Sequence, residues 1–241
     1  DHTERMLKSM GADIEVEGLT VKVSAQQSAI SNQHLNPIDI TIPADFSSAA
    51  FFIAAAMIVP DSEILIKNVC VNPTRTGMLE VIKKMGAALR LENIREVSGE
   101  PVADIYCRSS DNLRPVKIGR DLMPSLIDEF PILCILATQA EGVTTIRGAE
   151  ELRVKESDRI KAMAEGLKKM GVEVEEHKDG LSIHGKTGLK GAVIDGFGDH
   201  RIAMAFSVAA LISKGTTTIK GISAVNISFP GFYQELKKLT R

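Results

Sequence analysis

Ile160-Lys161-Ala162-Met163-Ala164-Glu165-Gly166-Leu167-Lys168-Lys169-Met170-Gly171-Val172-Glu173-Val174 contains a helix, a stop and the start of a strand. Ile160, Met163, Leu167 and Met170 recur at the helical period. Gly171 is a stop signal, and Val172 and Val174 then alternate as in a half-buried strand. The same order recurs elsewhere. Met85-Gly86-Ala87 follows the helical segment Leu79–Lys84 and leads to Leu89 and Leu91, while Met10-Gly11-Ala12 follows Met6–Ser9 and leads to Ile14 and Val16. Phe232–Leu239 is a fourth copy of the helix, cut off by the C-terminus. A second pattern lies upstream of the last three copies. Ser47–Val59, Asp128–Gln139 and Asp199–Ile212 are helices apolar on nearly all sides, which predicts interior positions. They are followed by the strands Ile64-Leu65-Ile66, Val143–Ile146 and Thr216–Ile219, and then by Lys67, Arg147 and Lys220. A unit of about 70–85 residues is therefore repeated. The expectation is an α/β domain over 45–241 made of three such units, the last incomplete, with buried helices inside and sheets outside. Residues 1–44 read as the tail of an earlier domain and a hinge, punctuated by Pro37 and Pro43.

Composition narrows the function class. The chain has 241 residues, 44% of them hydrophobic and 25% charged, with a net charge of −2 and no tryptophan. There is no basic field and few stacking aromatics, so nucleic acid is not an expected partner. No apolar run approaches a membrane span and no signal peptide is visible. Cys70, Cys107 and Cys134 are far apart and lack metal-ligand spacing, and Cys134 reads as a buried small hydrophobe. An odd count without a CxxC pair suits a reducing compartment, and the expected location is cytoplasmic. The first residue is Asp1, inside what reads as an amphipathic helix, so residues upstream are expected to have been lost.

The chemistry concentrates just before the opening stretch, in Leu152-Arg153-Val154-Lys155-Glu156-Ser157-Asp158-Arg159. Projected on one helix, Lys155 and Arg159 share a face, and Glu156 falls on the line of Met163 and Leu167. Such a run is commonly a charged first turn with a salt bridge. Cations at a helix N-terminus also suit a phosphate or carboxylate ligand. Gly196-Phe197-Gly198-Asp199-His200-Arg201 adds a second helix start, where Asp199 can cap and His200 and Arg201 project from the first turn. Asp128 opens the second apolar helix, as a cap, a catalytic group or both. Asn72-Pro73-Thr74-Arg75-Thr76-Gly77 reads as mostly structural, with Arg75 a weak anion candidate. Lys117, His177 and His184 read as surface or strand residues. No Ser-His-Asp or Cys-His set, P-loop or GxGxxG is present.

Residues 152–160 and 198–204, with Asn-Pro-Thr-Arg-Thr-Gly and the closing Ser228-Phe229-Pro230-Gly231-Phe232, resemble the 5-enolpyruvylshikimate-3-phosphate synthase family along essentially the whole chain. The resemblance is to the second half of a two-domain enzyme, each domain an inside-out α/β barrel of three βαβαββ-type units with helices inside. It implies transfer of the enolpyruvyl group of phosphoenolpyruvate to the 5-hydroxyl of shikimate 3-phosphate, without metal or organic cofactor. By the same resemblance Asp128 is the contact to the shikimate hydroxyl and the base. Lys155 and Glu156 form the proton-transfer pair, and Arg159 and Arg201 clamp phosphoenolpyruvate. His200 is a nearby site residue. An N-terminal half would supply the other wall of the site. Glu151 and Ile227 stand where many members carry Asn and Lys. That pattern looks like the family's second subgroup, which includes glyphosate-tolerant members, so glyphosate is a candidate inhibitor. Two rivals are a UDP-N-acetylglucosamine enolpyruvyl transferase and a non-catalytic anion-binding domain. The first is expected to lack the Val-Lys-Glu-Ser-Asp-Arg run, and the second would not need all five of Asp128, Lys155, Glu156, Arg159 and Arg201. These five are expected to converge at helix N-termini on one rim. Glu156 should lie within about 15 Å of Arg201, since more distant charges cannot share one small ligand.

Overall fold

A computed structural model describes residues 1–24 and 35–240. Residues 25–34, part of the expected hinge segment, lie outside the described residues. The chain opens with helix α1 (His2–Ser9) and the antiparallel hairpin β1 (Ile14–Glu17) and β2 (Thr20–Val23). Gly11 between helix and hairpin has φ 90°, a conformation that costs glycine little.

The first full unit begins at Ala44, which bridges Val69 in parallel. Asp45 caps α2 (Phe46–Ile58) by accepting from the Ser48 N–H at 2.8 Å. Then come β3 (Glu63–Cys70), α3 (Gly77–Met85) and the hairpin β4 (Leu89–Val97) and β5 (Glu100–Arg108). The sheet order is β3-β5-β4, antiparallel throughout. The second unit repeats the scheme with β6 (Lys117–Ile118), α4 (Phe130–Ala137), β7 (Val143–Ile146), α5 (Arg159–Lys169), β8 (Val174–His177) and β9 (Gly180–His184). Strand β6 runs parallel to β7, and β9 joins β7 to β8 in antiparallel pairs. The third unit has β10 (Val193–Asp195), α6 (His200–Ala210), β11 (Thr218–Lys220), a short α7 (Val225–Ser228) and α8 (Phe232–Leu239), with β10 parallel to β11. Among the described residues no hairpin follows α8. Each full unit is thus a parallel β-α-β crossover followed by a helix and a hairpin. In both full units the glycine after the outer helix takes the left-handed conformation, at φ 78° for Gly86 and 87° for Gly171.

The repeat explains where the core sits. Helices α2, α4 and α6 carry apolar residues all round, so none can face water, and they pack against one another. Every residue of α4 is buried. The amphipathic helices α3, α5 and α8 lie outside them and turn one stripe inward. Phe232 of α8 closes the third unit onto α2, edge-on to Phe51 with ring centroids 6.1 Å apart. Cys134 is buried in α4, and all three cysteines are unpaired.

Gly166 decides how closely α5 approaches α6. A Cβ built there would overlap the Phe206 ring, which is fully buried. In an open helix Gly→Ala would stabilise by about 1 kcal/mol. Here overpacking should win, and Gly166→Ala is expected to destabilise the protein by about 1–3 kcal/mol in urea unfolding. A gain in stability would show that α5 is free to move away from α6.

Candidate active site

The buried helices aim their N-terminal ends at a common rim. Asp199 caps α6, accepting from the Arg201 N–H at 2.9 Å and the Ile202 N–H at 3.4 Å. Its other oxygen accepts from Arg159 Nε at 2.8 Å and from Ser157 Oγ at 3.1 Å. Burial works against the charge of Asp199, but the Arg159 guanidinium and these hydrogen bonds outweigh it and hold the carboxyl below its ordinary range. Arg159 is itself only 1% exposed, so the pair is an internal one.

Arg159 sits at the start of α5 because Asp158 caps that helix, taking the Lys161 N–H at 3.0 Å. A cap has non-helical dihedrals, so helix cannot continue upstream through it. Residues Glu150–Val154 form a separate 3-10 turn, and Lys155 is extended with ψ −157°. The single helix projected across 155–170 is therefore corrected: Lys155 and Glu156 precede the helix, and Lys155 shares no helical face with Arg159. The bend places Glu156 differently from the projection. Its Oε2 accepts from Arg159 Nη2 at 2.6 Å, and its side chain is 49% exposed. Lys155 lies 3.5 Å from Glu151 Oε1, which is its salt-bridge partner.

Asp128 lies in a 3-10 turn, Ile127–Glu129, just before α4, and its side chain makes no cap bond. The carboxylate meets three guanidinium groups instead. Arg75 Nη2 donates to Oδ2 at 2.9 Å, Arg201 Nη2 is 3.4 Å from Oδ2, and Arg159 Nη1 is 3.7 Å from Oδ1. Arg201 Nη1 also donates to the Asp128 carbonyl at 3.2 Å. Burial opposes the charge here too, but Arg201, Arg75 and Arg159 prevail and lower the carboxyl from its ordinary value. Glu156, Arg159, Asp128 and Arg201 thus form a contact chain with no step longer than 3.7 Å.

His200 stands beside Arg201 at the start of α6. Burial, and then the Arg201 charge, lower its pKa from the ordinary value. The imidazole is therefore neutral at pH 7 and offers a hydrogen bond rather than a charge. Both residues line a cavity of about 160 Å³ with Ser47, Ser48, Met204 and Ser228. Ile227 is 85% exposed, and its neighbour Ser228 lines that cavity.

Three residues of this rim were not singled out by the sequence as working parts of the cluster. Arg75 is a direct partner of Asp128 rather than only a turn residue. Ser47 accepts from Arg75 Nη2 at 3.1 Å and donates to Glu129 Oε1 at 2.5 Å. Glu129 is 2% exposed. The available signal was a charged residue beside Asp128 at the mouth of an all-apolar helix. The structure also brings His2 Nδ1, Cys70 Sγ and a Glu100 oxygen within 4.8 Å of one another, which their sequence spacing did not suggest. Glu100 is hydrogen-bonded to His2 at 2.7 Å and to Asn72 at 3.1 Å, and burial pushes the Cys70 thiol up. We read this as a polar network tying α1 to the start of β5.

Comparison with known proteins shows the family of the chain. Residues 1–236 match the family model described as EPSP synthase (3-phosphoshikimate 1-carboxyvinyltransferase). Proteins named 3-phosphoshikimate 1-carboxyvinyltransferase are similar, at 55% identity over 241 residues in Thermodesulfovibrio yellowstonii and 52% over 242 residues in Persephonella marina. The match takes in 100% and 99% of this chain and 55% of each relative, so the chain spans about half the length of the curated relatives it matches. An EPSP synthase structure from Acinetobacter baumannii superposes with a TM-score of 0.92 at 43% identity, over 99% of this chain and 54% of that one. The enolpyruvyl transferase NikO from Streptomyces tendae, at 21% identity and a TM-score of 0.71 over 97% of this chain and 51% of its own, shares the fold. By the family model and these relatives, the chain belongs to the EPSP synthase family.

Proposed function

We propose that the protein transfers the enolpyruvyl group of phosphoenolpyruvate to the 5-hydroxyl of shikimate 3-phosphate and releases phosphate. The observation that carries the reading is the contact chain: an ionised Asp128 among three guanidiniums, with a half-exposed Glu156 on one of them, Arg159. Both substrates are polyanions, and preorganised cations are what binding them requires.

The steps follow from the chemistry. The 5-hydroxyl loses its proton to Asp128 while its oxygen adds to C2 of the enol and C3 gains a proton. The tetrahedral adduct then expels phosphate, which leaves as hydrogen phosphate with the proton Asp128 took up, and C3 gives its added proton back to Glu156. An arginine-bound carboxylate is a weak base at rest. Anionic substrates would compete for Arg75, Arg159 and Arg201, raising Asp128 toward the basicity the step needs. Glu156, whose cationic partner is Arg159, is the acid and base at C3, and Lys155, paired with Glu151 at rest, is the second member of the proton-transfer pair. Arg159 and Arg201 clamp phosphoenolpyruvate, and His200 adds a neutral donor or acceptor beside them.

In this reading, residues 1–44 are the tail of an N-terminal domain and a hinge, and 45–241 are a C-terminal domain supplying one wall of the site. The helix-and-hairpin form of α1, β1 and β2, which is the second half of a repeat unit, supports that division. An N-terminal half would supply the other wall. Glyphosate, itself a small anion, is the inhibitor to test. The three free thiols fit a cytoplasmic setting, and among the described residues no helix is long and apolar enough to cross a membrane.

The test is phosphate release from phosphoenolpyruvate by the full-length protein. Release only when shikimate 3-phosphate is added is expected. Release with UDP-N-acetylglucosamine instead, or none with either, would refute the reading. A polypeptide of these 241 residues alone should release none, since contacts left in water are far weaker than in a closed site. Adding a separately made N-terminal half should restore some activity. Turnover by the lone polypeptide would overturn the two-wall arrangement.

A further inference from the structure

Asp128 is held by Arg75 as well as by Arg159 and Arg201. Arg75 reaches it from the turn before α3, and the same Arg75 Nη2 that donates to Asp128 also donates to Ser47 Oγ. Ser47 belongs to the first turn of α2, and its hydroxyl proton goes to Glu129. Glu129 follows Asp128 in the chain, yet it is only 2% exposed, bonded to Ser47 of α2 and within reach of the Arg201 charge. Three elements therefore meet through one short hydrogen-bonded path: Glu129 to Ser47 to Arg75 to Asp128.

We infer that Glu129 and Ser47 form a buried relay that draws Arg75 partly off Asp128, making Glu129 a positioning residue for the base. The inference rests on the proposed function. An ionised Glu129 polarises the Ser47 hydroxyl, whose oxygen becomes a better acceptor for Arg75. Arg75 is then shared between two anionic directions and neutralises Asp128 less completely, which leaves that carboxylate more basic. With Glu129 protonated, Arg75 falls wholly to Asp128 and the base weakens.

The groups facing Glu129 are Ser47, Arg201, Asp128 and Arg75. Burial is the largest influence and raises its carboxyl to about 7, with Ser47 and Arg201 pulling the other way. The relay is therefore active above about pH 7 and lost below it. Stability runs in the opposite sense. The folded protein holds this proton to about 7, whereas an unfolded glutamate releases it near about 4.3, so stability falls as pH rises between those values. A buried charge costly to the fold and useful to the reaction is a recurrent trade.

The experiment uses the full-length protein, with kcat and KM measured from pH 5.5 to 8.5 alongside thermal melting. Glu129→Gln keeps the shape and an acceptor for Ser47 but removes the charge. At pH 8 it should turn over about tenfold more slowly with KM values within about twofold, melt higher than the parent, and lack the acid limb near pH 7. Ser47→Ala should lose a similar factor, and the double variant should lose no more than either single one. Unchanged kcat in Glu129→Gln, or independent multiplying losses in the double variant, would overturn the relay. So would a Glu129→Gln protein that is both slower and less stable at pH 8, since that is the mark of a purely structural residue. Parent turnover with unaffected variants sinks this inference alone. Absence of parent turnover with shikimate 3-phosphate sinks the proposed function and the relay with it.

Discussion

Glu156→Gln in the full-length protein is expected to lower kcat by about 10²–10⁴-fold while the KM for phosphoenolpyruvate stays within a few-fold. Glutamine can still accept from Arg159 Nη2, so the contact that orients the side chain survives. It cannot give up a proton and take it back, and the proposed reaction needs one such cycle at C3. The fold should be indifferent. The carboxylate is about half exposed, and such pairs contribute roughly 0–1 kcal/mol. Steady-state kinetics with a melting curve separate the two effects. A kcat within tenfold of the parent would remove Glu156 from the proton-transfer role and leave Lys155 or solvent to fill it.

Arg159→Ala should be costly in a different way. Its guanidinium satisfies Asp199 and contacts both Glu156 and Asp128. Truncation leaves Asp199 fully buried without its cation, and breaking a buried pair typically costs 3–5 kcal/mol. At roughly 2–4 °C per kcal/mol, the melting temperature should fall by something on the order of ten degrees. The sign of the pH dependence follows. With Arg159 present, Asp199 titrates below its unfolded value, and its contribution is lost only as pH falls through that lowered value. Without Arg159, burial is opposed only by Ser157 and the N–H groups of α6, so the Asp199 carboxyl rises, and lowering the pH lets it take up a proton and relieves part of the penalty. The deficit against the parent should therefore be larger at pH 8 than at pH 5. Binding of phosphoenolpyruvate should weaken as well, and Arg159→Lys should recover little of either property. One ammonium cannot span Asp199 and Glu156 together as a planar fork does. A variant melting within about two degrees of the parent at pH 8 would show that Asp199 has another way to be satisfied.

The two residues differ in how much of their role the amino-acid sequence carries. The repeat was legible because glycine after methionine stops a helix by its own backbone freedom, and because α2, α4 and α6 are too apolar to face water in any fold. The Asp199 cap was legible for the same local reason. The rim residues Asp128, Glu156, Arg159 and Arg201 were legible as chemistry and, through the family resemblance, as a set.

Which of those charges is internal was not legible. Nothing in Val-Lys-Glu-Ser-Asp-Arg distinguishes a buried arginine from an exposed one. Asp199, forty residues on, decides it, by standing at the mouth of a helix that α5 packs against. The helix start is a nearer case. A charged run before an apolar helix reads as its first turn, and the Asp158 cap moves Lys155 and Glu156 out of it. The path joining Ser47 and Glu129 to Arg75, which the sequence offered only as a weak anion candidate, depended on tertiary structure. Each is an unremarkable turn or helix-start residue in the chain, and they become one path only because α2 and α4 bring their N-termini to the same place. Local backbone preferences are short-ranged and survive in any context. Burial, pairing and the basicity of a carboxylate depend on what lies within a few ångströms across the fold, and that is set by packing.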